Sequence, residues 1–161
     1  SLSNLKNHHK FEKFKVLMAG NKINKDNTVL VNLIREHKLL ENIVLLNEIK
    51  DMPKFYNSID VNVLTSSYGE AFPNVLIEAM SCEVPCLSTE IGDSRKIIGD
   101  TGWVIKQNDK EMFCDAVLKI FEMKSNFLEK WEKVRSNCRL RVVSNFSQDK
   151  MIKNYNKLFL N

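Results

Sequence analysis

Residues 61–88 read VNVLTSSYGEAFPNVLIEAMSCEVPCLS, which predicts a strand, a loop, a helix and a second strand in turn. Residues 61–64 and 85–88 are short apolar runs of the kind that form buried strands. Between them, apolar side chains recur at helical spacing after Pro73, a residue suited to the first turn of a helix. Strands that alternate with helices indicate an α/β fold.

The rest of the chain continues this alternation. Strands are predicted at 14–19, 43–46 and 103–105, and helices at 28–34, 52–56, 94–98, after Asp109, over the polar stretch 126–143 and after Ser147. Strands that are near-continuous apolar runs are typical of a parallel sheet covered on both faces. We therefore predict one doubly wound, Rossmann-like α/β domain over residues 13–161, after a frayed lead-in segment at 1–12.

Composition restricts the function classes. The chain has 161 residues, of which 43% are hydrophobic and 27% charged, with a net charge of +4. This basic excess is spread along the sequence, which argues against nucleic acid as a partner but suits a small phosphorylated ligand. No run of about 18 apolar residues predicts a transmembrane helix. The four cysteines form no C-x-x-C pair, so we expect reduced thiols, no zinc and a cytoplasmic protein.

A candidate anion site lies between the strand at 61–64 and the helix that follows. Open α/β sheets bind ligands at the carboxyl ends of their strands, where this loop lies. With Pro73 as the first helical residue, the backbone amides of Phe72, Asn74 and Val75 remain free. These donors and the helix dipole predict a phosphate-binding site.

Two carboxylates flank that site, Glu70 before the helix and Glu78 within it. Asn74, Glu78 and Ser81 follow helical spacing and form a polar stripe. A carboxylate accepts hydrogen bonds from hydroxyls and suits a vicinal diol. Two such acceptors around a diphosphate describe a nucleotide sugar. Each residue alone is also explained as a solvated surface glutamate or an electrostatic helix cap.

The complete string resembles the donor-binding motif of glycosyltransferase family 4, the retaining GT-B enzymes. The motif is present here as Ser66-Ser-Tyr-Gly-Glu70-Ala-Phe72-Pro73, followed by Glu78-Ala-Met-Ser-Cys-Glu-Val-Pro85, and its two glutamates have the E-x7-E separation. The resemblance extends over residues 15–160. It implies that the chain is the carboxyl-terminal half of a GT-B architecture, which binds the sugar donor.

The resemblance also implies roles for these residues. Glu70 would contact the hydroxyls of the donor sugar and is the candidate catalytic residue, whereas Glu78 would bind the ribose of the nucleotide. The amides of Phe72, Asn74 and Val75 would hold the diphosphate.

Further donor-binding residues are implied near the first two strands. The family has an arginine just after the glycine of the first strand and a lysine a few residues later. Here Gly20 is followed by Asn21, so the arginine is missing, and Lys25 matches the lysine, with Lys22 as a substitute cation. The nucleotide base would pack on backbone at Ile49.

Two smaller departures replace glycines of the family pattern. Ala71 and Glu83 occupy these positions. Both are tolerable where the backbone keeps a negative φ.

The implied activity is transfer of a sugar from a nucleotide sugar with retained anomeric configuration, a hexosyltransferase-like reaction of class EC 2.4. The chain contains no Asp-x-Asp, so no metal and no other cofactor are expected. Two alternatives remain open: a nucleotide-sugar epimerase of related GT-B architecture, and a degenerate binding module without catalysis. Transfer by the complete protein would separate the first interpretation from both.

A GT-B enzyme has two such domains, so an acceptor-binding domain should precede this one. The acceptor would be a glycan or a lipid-linked molecule, as in cell-surface polysaccharide biosynthesis, and the missing domain is where contact with the inner face of the membrane would occur. The isolated chain should be inactive. Its last helix, with Met151, Ile152, Tyr155, Leu158 and Phe159, either crosses to the missing domain or packs on this domain's own sheet.

Overall fold

The computed structural model describes residues 2–6 and 14–159, along which strands and helices alternate as predicted. The strands are β1 (Val16–Met18), β2 (Ile43–Leu45), β3 (Asn62–Leu64), β4 (Cys86–Thr89) and β5 (Trp103–Ile105). The helices are α1 (Leu2–Lys6), α2 (Thr28–Glu36), α3 (Met52–Tyr56), α4 (Asn74–Ser81), α5 (Ser94–Ile98), α6 (Lys110–Asn126), α7 (Leu128–Phe146) and α8 (Gln148–Phe159). The predicted elements are confirmed, with bounds that differ by a few residues.

Every strand pairing in the described part of the chain is parallel. β1 pairs with β2, with Val16 opposite Ile43, while β4 lies between β3 and β5. In the second set, Ser88 of β4 is opposite Leu64 on one side and Val104 on the other. Parallel neighbours require crossover connections, which the helices between the strands supply. The predicted parallel α/β class is confirmed.

Two apolar cores lie on opposite faces of β4. Cys86 belongs to one core and its neighbour Leu87 to the other, because successive side chains of a strand point to opposite faces. The first core contains Tyr56, Leu76, Ala79, Met80, Val84, Cys86, Ile97, Ile98, Cys138 and Val142. The second contains Leu5, Leu87, Ile105, Phe113, Ala116, Ile120 and Trp131. This double coverage is what a doubly wound sheet requires.

Coverage of the strands is nevertheless unequal. All four residues of β4 are buried, whereas Val44 of β2 and Val63 of β3 are 39% and 47% exposed. β4 is the central strand of its set, and β2 and β3 are edge strands in the described pairings. The prediction of strands buried on both faces therefore applies to β4 most fully.

The start of the chain differs from the predicted frayed lead-in. Leu2–Lys6 forms α1, and Leu5 is 1% exposed in the second core, packed among residues of α6. A helix this short is unstable by itself in water and depends on such packing. The remainder of the lead-in, residues 1 and 7–12, lies outside the described residues.

Helix α7 fastens the ends of two other helices through arginines. Arg139 donates to the carbonyl oxygen of Ser81 at the end of α4 (2.5 Å), and Arg135 donates to that of Glu83 (3.2 Å). Arg141 donates to the carbonyl oxygens of Lys96 and Ile97 in α5, each at 2.7 Å. Cationic donors satisfy helix carboxyl ends and favour their dipoles. The polar stretch predicted at 126–143 thus holds α4 in place.

Helix α8 leaves its apolar side uncovered. None of its residues is buried, and Leu158 and Phe159 are 76% and 77% exposed. Of the two alternatives for the last helix, packing on this domain's own sheet is therefore wrong. No helix in residues 2–6 and 14–159 combines the length and hydropathy needed to cross a bilayer.

Alkaline pH should destabilise the fold through its buried thiols. Burial raises the pKa of the Cys138 thiol from 9.0 to about 11, and burial also raises the pKa of Cys86. The unfolded chain therefore releases these protons at lower pH than the folded chain does, so stability present below pH 9 is lost as the pH rises towards 11. We expect a loss of about 2 kcal/mol from Cys138 alone. The free energy of unfolding can be measured with urea for wild type and Cys138→Ala between pH 7 and 10.5. If it falls with pH by the same amount in both proteins, the predicted contribution of Cys138 is contradicted.

Candidate functional site

The loop between β3 and α4 lies at the carboxyl end of β3, and hydrogen bonds from two neighbouring elements hold it. Ser66 Oγ donates to Glu70 Oε1 at 3.1 Å. The carbonyl oxygen of Ser66 in turn accepts a 2.6 Å hydrogen bond from Thr89 Oγ1 at the end of β4. Because β3 and β4 are parallel, their carboxyl ends meet at one edge, and β4 can support the half-buried Glu70 through Ser66.

The loop after β4 approaches this segment closely. The Asp93 N–H donates to the carbonyl oxygen of Ala71 at 2.8 Å. Gly92 has a φ of +49°, and a Cβ on it would lie 2.6 Å from the carbonyl oxygen of Glu70. The absence of a side chain at Gly92 thus permits the close approach. No sequence signal indicates what this glycine contacts.

The start of α4 corrects one prediction. Pro73 is the N-cap, with φ −72° and ψ 97°, and the first helical residue is Asn74. The carbonyl oxygen of Pro73 already accepts from the Leu76 N–H at 3.1 Å, as an N-cap carbonyl does. The extended ψ of Pro73 places it outside the helix, although its ring-restricted φ suits either position.

The predicted anion donors nevertheless remain available. Pro73 has no side chain that could cap the helix. Within residues 2–6 and 14–159, the N–H groups of Phe72, Asn74 and Val75 donate to no acceptor. Unpaired amides at a helix N-terminus attract an anion, and the helix dipole adds to the attraction.

Glu78 extends from the exposed side of α4, one turn beyond Asn74. Its Oε2 accepts a hydrogen bond from the Tyr56 hydroxyl at 3.0 Å. Burial of Tyr56 and its hydrogen bond to Glu78 raise the pKa of the phenol far above its usual value, so it stays protonated and donates. The sequence predicts Tyr56 at the end of a helix, and no sequence signal connects it to the site.

The end of the loop before α4 is also anchored by an aromatic contact, at Phe72. The Phe72 ring meets the Phe146 ring edge-on, with centroids 6.0 Å apart. Phe146 closes α7 and packs against the first core. The helix that fastens the carboxyl end of α4 therefore also contacts the loop before its amino end.

The loops after β1 and β2 carry the other candidates, and they bond to each other. The Gly20 N–H donates to the Asn47 carbonyl oxygen at 2.8 Å, and the Asn47 N–H to that of Ile23 at 2.7 Å. Lys22, with a φ of +59°, and Lys25 are exposed in the first of these loops. Neither lysine forms an ion pair within the described part of the chain. Half-buried Ile49 follows in the second loop.

The two residues that replace glycines of the family pattern, Ala71 and Glu83, differ in backbone conformation. Ala71 is not among the residues with positive φ and so meets the condition of a negative φ, whereas Glu83, with a φ of +60°, does not meet it. The reason is the end of α4: the Glu83 N–H bonds to the Met80 carbonyl oxygen, and the Val84 N–H to that of Ala79. This pair of bonds is a Schellman motif, which requires a left-handed residue and usually uses glycine.

The chain is similar to known proteins over most of its length. Residues 1–141 match the family model described as glycosyl transferases group 1. The capsular polysaccharide biosynthesis glycosyltransferase CapM of Staphylococcus aureus is 31% identical over 66% of this chain and 27% of its own length. The UDP-Gal:alpha-D-GlcNAc-diphosphoundecaprenol alpha-1,3-galactosyltransferase of Escherichia coli is 26% identical over 83% of this chain and 34% of its own length.

Among solved structures, a glycosyltransferase from Rickettsia africae superimposes with a TM-score of 0.84 at 24% identity, covering 98% of this chain and 41% of that one. This likeness confirms the fold. The chain spans only about a third of the length of the curated relatives it matches, at 27% and 34%.

Proposed function

The chain belongs to the glycosyl transferases group 1 family, and on this premise we propose that it is the donor-binding half of a retaining, family 4 glycosyltransferase of GT-B architecture. One observation carries the proposal. A loop that β4 holds in place carries Glu70 and leads to the start of α4, where three amides donate to no acceptor in the described part of the chain, and Glu78 lies one turn further along the same helix. An anion site between two hydroxyl acceptors fits a nucleotide sugar.

In this proposal each group has a separate task. The amides of Phe72, Asn74 and Val75, with Lys25 or Lys22, stabilise the diphosphate as it leaves, so that no metal is required. Glu78 accepts hydrogen bonds from the ribose diol, and Ile49 packs beside the base at the end of β2. Glu70 orients the sugar.

The rest of the enzyme is also part of the proposal. An acceptor-binding domain precedes this one, and a glycan or lipid-linked acceptor enters the cleft between them, at the cytoplasmic face of the membrane. The names of the two relatives, one in capsular polysaccharide biosynthesis and one for a diphosphoundecaprenol acceptor, support that substrate class. The exposed apolar face of α8 supports a helix that packs on the missing domain.

Titration of the chain with UDP, ADP and GDP by calorimetry tests the donor site directly. We expect one of these nucleotides to bind and the chain to transfer no sugar by itself, because half of the cleft is absent. If none of the three binds, the proposed donor site is wrong. Transfer by the isolated chain contradicts the two-domain arrangement.

Glu78→Gln should weaken the free nucleotide as well as the nucleotide sugar. The variant replaces a charged acceptor for the ribose diol by a neutral one, at a cost of roughly 1–3 kcal/mol in binding free energy. Calorimetry on wild type and variant, with whichever of the three nucleotides binds best, measures this change in binding free energy. Glu122→Gln, which neutralises an exposed carboxylate on α6, is the matched control and should bind like wild type. Unchanged affinity in Glu78→Gln would remove the ribose role from Glu78.

A further inference from the structure

Tyr56 connects the first core to the proposed donor site. The residue lies at the end of α3 and is 2% exposed, in the same core as Leu76 and Met80 of α4. Its hydroxyl nevertheless reaches the exposed side of α4 and donates to Glu78 Oε2 at 3.0 Å. A fixed, buried ring thus holds a side chain that would otherwise move in solvent.

The hydrogen bond from Tyr56 uses one of the two carboxylate oxygens of Glu78. Only Oε2 is engaged, and Oε1 accepts nothing within residues 2–6 and 14–159. A free glutamate loses up to about 2 kcal/mol of conformational free energy when a ligand immobilises it. With one oxygen already held in the unliganded chain, that cost is reduced before the ligand arrives, and the second oxygen remains available.

A buried phenol also needs a hydrogen-bond partner for its own stability. That requirement explains why the hydroxyl is bonded, and it predicts a contribution to folding alone. The partner is Glu78, a carboxylate on the exposed side of α4, and the amino end of the same helix carries the proposed anion site. The hydrogen bond can therefore also affect ligand binding. If the hydroxyl only stabilises the fold, its loss leaves the ligand affinity of the folded chain unchanged. If it also positions Glu78, its loss lowers that affinity.

We propose that Tyr56 is a positioning residue for the nucleotide: its hydroxyl fixes the Glu78 carboxylate so that Oε1 meets the ribose diol of a nucleoside diphosphate. The inference rests on the proposed function, in which Glu78 contacts ribose. Tyr56 itself touches no ligand and acts only through Glu78.

The first test is Tyr56→Phe, which keeps the ring and removes the hydroxyl. Affinity for UDP, or for whichever of ADP and GDP binds better, should fall about tenfold by calorimetry. Ile97→Val is the matched control, because it loosens the same core without touching Glu78 and should leave affinity unchanged. Equal weakening in both variants would show that Tyr56 acts through stability alone and would overturn the proposal.

Glu78→Asp supplies a second test that leaves every side chain of the first core unchanged. It keeps the charge but shortens the side chain, so the carboxylate no longer reaches the Tyr56 hydroxyl, and affinity should again fall about tenfold. In a Glu78→Ala background, Tyr56→Phe should reduce affinity no further. Wild-type affinity in Glu78→Asp, or additive losses in the double variant, contradicts the positioning role.

The outcomes separate the two proposals. If Glu78→Gln weakens the nucleotide and Tyr56→Phe does not, the positioning role fails while the ribose assignment stands. If Glu78→Gln leaves the nucleotide unaffected, the ribose assignment fails, and the role of Tyr56 fails with it.

Discussion

Gly92→Ala is expected to lower the free energy of unfolding by roughly 2–4 kcal/mol, combining backbone strain with a steric clash. At a φ of +49°, an added Cβ is strained, and it would meet the backbone oxygens of Glu70 and Ala71. Backbone cannot rotate away as a side-chain tip can, so one of the two loops must shift. Urea unfolding of the variant and of wild type measures the loss.

Gly69→Ala separates the two causes. Gly69 also has a positive φ, +84°, but a Cβ there would have no heavy atom within 4 Å. We expect a loss of about 1 kcal/mol, from backbone strain alone. Equal losses in the two variants would mean that the close approach of the loops after β3 and β4 at Gly92 adds no steric cost, and the role of Gly92 in permitting that approach would then be discarded.

The local sequence was sufficient to predict those features that depend only on residues close together in the chain. The run at 85–88 predicted β4 because a short apolar segment after a helix has few alternatives to a buried strand. Asp109 predicted the start of α6, and its side chain accepts from the Met112 N–H at 2.8 Å. The amides of Phe72, Asn74 and Val75 were also predicted correctly as unpaired, as far as the described residues extend, even though α4 begins one residue later than expected.

Long-range contacts could not be predicted in this way. Tyr56 and Glu78 are 22 residues apart, and their hydrogen bond depends on how α3 packs against α4. Leu5 lies in a short, mostly polar segment, and its burial becomes evident only when α6 is placed beside it. Such contacts arise from tertiary packing, which overrides the weak local preference of a short segment.

Glu83 is an intermediate case. Its positive φ follows from the Schellman end of α4, and the glycine that the family pattern has at this position was the available signal. A glutamate is tolerable at this position where φ is negative, and the structure shows that this condition is not met. A glycine at such a position of a family pattern is better interpreted as an indication that the backbone there has a positive φ.

Glu70→Gln should separate the sugar from the nucleotide in the proposed site. Glu70 does not cap α4, since the N-cap is Pro73 and the Glu70 carboxylate accepts instead from Ser66 Oγ. We therefore expect little change in melting temperature or in affinity for the free nucleotide. In the complete enzyme, transfer should fall by roughly 100-fold or more, because sugar hydroxyls oriented through Glu70 set the geometry of the reacting carbon.

Melting temperature, nucleotide affinity and turnover measured on the same variant decide the role of Glu70. Glu122→Gln again serves as the control, since it makes the same chemical change on α6. A variant with a lower melting temperature and normal turnover would identify Glu70 as a structural residue of the loop. Equal loss of nucleotide affinity in Glu70→Gln and Glu78→Gln would place both carboxylates on the nucleotide, and the sugar would then need a different acceptor.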